Sequence, residues 1–190
     1  MTNTTGLSQL MHQMKIKVHE PFAEFLGATP EEVDFEISLL ECYRLSGHAC
    51  HAITGIFLLT KEAVRLLYPE TNTCMRGDLK VQFGAALGEM AAGPKSNVIG
   101  FVTGAWGDTG FPGLKGRFAR NHLVSFGPND LAKNAVRFER ISTGKSVTLV
   151  YDPSAVTSAL SHGAEFPQSW RVEIQAILGE SEKALSLMER

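Results

Sequence analysis

A chain of 190 residues with 44% hydrophobic and 20% charged residues has globular composition and the length for one well-buried core. A formal net charge of −2, with the lysines and arginines scattered, offers no basic face to nucleic acid. Cys42, Cys50 and Cys74 are too few for a disulfide framework. Together with a start that lacks a secretory apolar region, they imply a reducing, cytoplasmic setting, and no apolar run reaches the ~20 residues that span a bilayer.

Leu7, Leu10, Met11, Met14, Val18, Phe22 and Phe25 recur every three or four residues, which predicts one helix face, kinked at Pro21 and ended at Gly27. Thr29-Pro30-Glu31-Glu32 is a capping box with proline in the first helical position. Alternation of Val33, Phe35, Ile37 and Leu39 with Asp34, Glu36 and Ser38 predicts a short strand that leads into a helical turn from Leu40 to Leu45. Ala52 to Tyr68 is expected to be a long helix, with Ile56, Leu59, Ala63, Leu66 and Leu67 inward and Pro69 closing it. Leu79, Val81 and Phe83 suggest a strand, and Val98 to Trp106 a buried helix or strand.

Glycine then occupies every third position from Gly104 to Gly116, which is either a loop with several positive-φ turns or a backbone nest for an anion or cofactor. Ala135 to Arg140 and Ser146 to Tyr151 flank a Thr143-Gly144 turn, a hairpin. Trp170, Ile174, Ile177, Leu178, Leu185 and Met188 form the apolar side of a last helix. The whole is expected to be one α+β domain over residues 1–190, helices packed on a mixed sheet, with a C-terminal hairpin and helix.

The chemistry concentrates in Gly47-His48-Ala49-Cys50-His51. Imidazole, thiol and imidazole within four residues suit zinc or another divalent transition metal such as nickel or iron, so His48, Cys50 and His51 are the candidate ligands. A helix start here would favour the Cys50 thiolate. Three ligands leave a position open, and Cys74, Asp78, Asp108 and His122 are candidates to fill it. Other readings are a helix cap, a covalent-haem motif lacking its first cysteine, and a Cys50–His nucleophile pair. Arg117 and Arg120, with Trp106 at the start of the glycine-rich loop, could bind a small anionic ligand or cofactor beside the metal.

The cluster, Gly55 and the helix from Ile56 to Tyr68 resemble the FmdE-like family, named for a component of formylmethanofuran dehydrogenase, whose hallmark is Gly-His-x-Cys-Pro-Gly opening a long helix. Arg76-Gly77-Asp78-Leu79-Lys80-Val81, Thr103-Gly104 and Gly107-Asp108-Thr109-Gly110-Phe111 are similar to the family's later glycine-rich core. The match spans roughly Glu41 to Tyr151. It implies a helix-rich layer on a mixed sheet, a homodimer, and a metal, usually zinc, at His48 and Cys50, with His51 standing where the signature has proline. The functions this leaves are an accessory or small-ligand module, serving a redox enzyme or a small molecule, and a metal-dependent enzyme on a small polar substrate.

Overall fold

The computed structural model describes residues 4–158, 160 and 165–188. The stretch expected to be one helix is three elements: α1 (Thr4–Gln13), strand β1 (Lys15–His19) and α2 (Pro21–Phe25). The helical spacing of Met14, Val18 and Phe22 hides an alternation, because Ile16 and Val18 are buried while Lys15 and Lys17 are exposed. Pairing decides the outcome. β1 lies at the centre of a three-stranded sheet, antiparallel to β2 (Asp34–Ser38) and parallel to β3 (Thr73–Met75).

Between β1 and β2, α3 (Pro30–Val33) follows the expected capping signal, the Glu32 carboxylate accepting from the Thr29 N–H at 2.9 Å. A second capping box, Ser38 with Glu41, opens α4 (Leu39–Ser46).

The central element is α5 (His51–Leu67). It is buried nearly all round rather than on one face, packing on α4, on α6 (Ala92–Thr103), on strands of both sheets and on the hairpin. Its two buried threonines are satisfied locally, Thr54 and Thr60 donating to the carbonyls of Cys50 and Ile56 at 2.7 Å. Fully buried Ile53, Ile56 and Phe57 each contribute roughly 1.5–3 kcal/mol relative to exposure.

The second sheet runs β5-β4-β6-β7-β8 in space. The strands are β4 (Leu79–Phe83), β5 (Val124–Ser125), β6 (Ala135–Arg140), β7 (Ser146–Tyr151) and β8 (Leu185–Leu187). β4 and β5 are parallel and the other pairs antiparallel, so the architecture is α+β with two mixed sheets. The hairpin β6–β7 forms as read from its turn, with Gly144 at φ 69°.

The chain then passes through α7 (Ser154–Thr157) into α8 (Gln168–Gly179), which buries Ile174, Ile177 and Leu178. α8 is shorter than its apolar pattern predicts. Leu185 belongs to β8, and Met188 beyond it donates its N–H to the Thr148 carbonyl, because the open edge of β7 takes up this segment. Among the described residues no helix is long and apolar enough to cross a membrane.

Candidate ligand site at the start of the central helix

Gly47 ends α4 in the left-handed conformation (φ 79°), which turns the chain towards α5. Cys50 is extended (φ −152°, ψ 164°) and is the N-cap of α5, its carbonyl accepting the Thr54 N–H. The two signature side chains meet different surroundings. Cys50 is only 7% exposed and joins the core, whereas His48 is exposed along a cavity of about 380 Å³ edged by Met11, Phe166, Trp170 and Arg171.

His48 Nδ1 lies 3.0 Å from the Ser46 carbonyl, which can only accept. The ring proton is therefore on Nδ1, and the Nε2 lone pair is left for a ligand. His51 is committed elsewhere: its Nε2 is 3.0 Å from a Glu173 carboxylate oxygen of α8, and its ring stands edge-on to Trp170. Burial lowers the His51 pKa, with Glu173 acting in the opposite sense.

Around Cys50 the structure assembles groups that sequence reading did not connect. Tyr43 and Thr54 share a 2.6 Å hydrogen bond between their hydroxyls. The Tyr151 hydroxyl, brought by β7, is buried and has no hydrogen-bond partner among the described residues, and it lies within electrostatic reach of Tyr43 and Cys50. Burial raises both phenol pKa values above their ordinary range. Gly55 is what admits the Tyr151 ring, since a Cβ there would overlap it.

Lys95, in the first turn of α6, has no carboxylate partner among the described residues. Burial pulls its pKa down, with Cys50 opposing. Lys95, Tyr151, His51, Gly55 and Lys133 line a cavity of about 240 Å³. Met90, on its lining, and Ala91 next to it in sequence both adopt positive φ (48° and 57°), a strain that costs about 1–2 kcal/mol per residue and that collects at functional sites.

The other expected residues go elsewhere. Arg117 stacks over the Phe25 and Phe118 rings, at 5.2 and 4.6 Å. Trp106 lies flat on α6 at Gly100. Arg120 is buried in an ion pair with Glu20. None of these three lines the cavity beside His51.

Cys74 is in the core, Asp78 is bonded to Tyr68, Arg140 and Ser142, and Asp108 pairs with His122 at 3.0 Å on the surface. Among the described residues no three His, Cys, Asp or Glu side chains are grouped so as to hold a metal ion. The residues sequence reading missed are Tyr43, Lys95 and Tyr151. The one available signal was Gly55, a glycine inside an apolar helix, which marks a close approach.

Burial pushes the Cys42 and Cys74 thiols up to about 12, so both stay protonated and shielded near neutral pH. Titration of the native protein with a thiol reagent at pH 8 is therefore expected to leave Cys42 and Cys74 unmodified until denaturant is added. Any native-state labelling falls on Cys50. Mass mapping that finds Cys42 or Cys74 labelled first would contradict this packing.

No family model, no curated protein and no solved structure matches this chain.

Proposed function

We propose that the protein is a metal-binding, small-ligand module of the FmdE-like type, centred on the start of α5. The observation that carries this reading is the buried Tyr151 hydroxyl, which has no hydrogen-bond partner among the described residues and lies within electrostatic reach of Cys50. Leaving such a group unsatisfied costs about 1–3 kcal/mol, and native structures reserve that cost for places where an ion, water or ligand completes the bond.

The donor types, a His48 imidazole with its Nε2 free and the Cys50 thiol, suit a divalent metal with open positions. Two protein ligands call for the rest from a bound molecule or from a second copy of the chain in a homodimer. A metal so held supplies Lewis acidity to an oxygen of the bound molecule. The chain's own contribution is charge and shape. Lys95 favours an anionic ligand in the adjacent cavity, and His51, held by Glu173, closes one side of it.

Elemental analysis and a visible spectrum of the purified protein test this. The expected result is about one zinc, nickel or iron per chain, lost in Cys50→Ala and in His48→Ala, with folding retained by circular dichroism. Protein that carries no metal and takes up none from added zinc or nickel would overturn the reading, and a Soret band would assign the segment to haem instead.

A further inference from the structure

Two helices each carry apolar side chains four residues apart, Leu7 and Met11 on α1, Trp170 and Ile174 on α8. Side chains at that spacing share a helix face. Both faces, with Phe166 ahead of α8 and residues 47–49 beyond α4, line the cavity of about 380 Å³ that His48 borders. Leu7 and Ile174 are buried, but Phe166 and Trp170 keep 72% and 36% of their surface exposed. Their rings meet edge to face at 5.6 Å, so the exposed apolar surface is one patch and not two scattered residues. A volume of this size falls within the range of about 300–1,000 Å³ that small-molecule sites occupy.

The polar groups of the wall are few and unbalanced. No carboxylate belongs to it among the described residues. Arg171, exposed and next to Trp170 in the chain, makes no side-chain hydrogen bond or ion pair among the described residues. Arg76 and Arg120, by contrast, share Glu20, Arg137 holds Asp130, and Arg140 holds Glu70 and Asp78. His48 presents a lone pair at Nε2 and offers an acid group no donor of its own. Arg171 is therefore the group that reads charge here.

We propose that this cavity binds a small amphipathic carboxylate, its apolar body against Met11 and Trp170 and its acid group on the Arg171 guanidinium. A guanidinium matches the two oxygens of a carboxylate with paired N–H donors, and the apolar wall rewards each methylene removed from water. The site borders the His48–Cys50 segment but does not rest on a metal there, because neither the apolar wall nor Arg171 needs one.

The test is calorimetric titration with butanoate, hexanoate and octanoate, and with 1-octanol as the uncharged match, on protein kept in a metal chelator. Octanoate is expected to bind, with affinity rising about fourfold per added methylene from butanoate upward. Arg171→Gln breaks no bond of the fold and is expected to weaken octanoate about tenfold while leaving octanol unchanged. Ala49→Phe brings a ring into the cavity from an exposed position and is expected to weaken both ligands, with folding checked by circular dichroism.

No heat from octanoate, or octanoate bound alike by wild type and Arg171→Gln, would overturn the proposal. Octanoate binding untouched by Ala49→Phe would overturn it as well, by placing the ligand elsewhere. Protein that binds octanoate in this way yet takes up no zinc or nickel would sustain this site and sink the metal reading, so the two fail separately.

Discussion

Glu20→Ala is expected to lower the unfolding free energy by about 3 kcal/mol, the scale for removing one partner of a buried ion pair. The side chains concerned are 21%, 15% and 9% exposed for Arg76, Glu20 and Arg120, so solvent cannot take over the role of the carboxylate. The loss has two parts. The larger is two neighbouring guanidinium groups left without their shared counter-ion. The smaller is the cap of α2, where the Glu20 carboxylate accepts the Phe22 N–H at 3.0 Å. Glu20→Gln separates them, because the amide oxygen keeps the cap and loses the charge. Urea unfolding should show both variants well below wild type, with alanine lowest. A shift under about 1 kcal/mol in both would mean that the knot contributes no more than a surface ion pair.

Gly55→Ala is the second large effect, and its sign is the informative part. In an exposed helix interior the change would stabilise by about 1 kcal/mol. Here the new Cβ would overlap the Tyr151 ring, so the ring must leave the face of α5, and overpacking of this kind costs about 1–3 kcal/mol. Net destabilisation is expected, with a changed near-ultraviolet signal from the displaced tyrosine. Stabilisation by added zinc or nickel should weaken as well, since the hydroxyl leaves the neighbourhood of Cys50. A variant more stable than wild type would show that the ring does not pack on the helix backbone.

Elements specified by local chemistry are legible in the chain. The Thr29-Pro30 cap, the Thr143-Gly144 turn with its flanking alternation, and the apolar run ended by Pro69 each carry their own signal, and each forms. Elements specified by distant pairing are not. β1 is a strand because β2 and β3 lie on either side of it, and its five residues read equally well as part of a helix. Leu185 reads as helical because nothing local shows that the edge of β7 awaits it.

The site divides the same way. His48, Cys50 and His51 stand together in sequence, yet His51 is held by Glu173 on α8 and Cys50 is buried in the core within electrostatic reach of Tyr151 on β7. Arg120 reads as a free cation in a flexible loop. Its partner lies 100 positions earlier, and no local pattern announces an ion pair of that span.

That same span bears on how the protein emerges from the ribosome. β1 and Glu20 are made early, but the parallel neighbour of β1 begins at Thr73 and the second cation on Glu20 is Arg120. At roughly 5–20 residues per second, the 100 residues between Glu20 and Arg120 take about 5–20 s to synthesise. Until Thr73–Met75 is made β1 has β2 as its one strand neighbour and an open second edge, and until Arg120 is made the Glu20 ion-pair knot is incomplete, the kind of nascent chain that holding chaperones recognise.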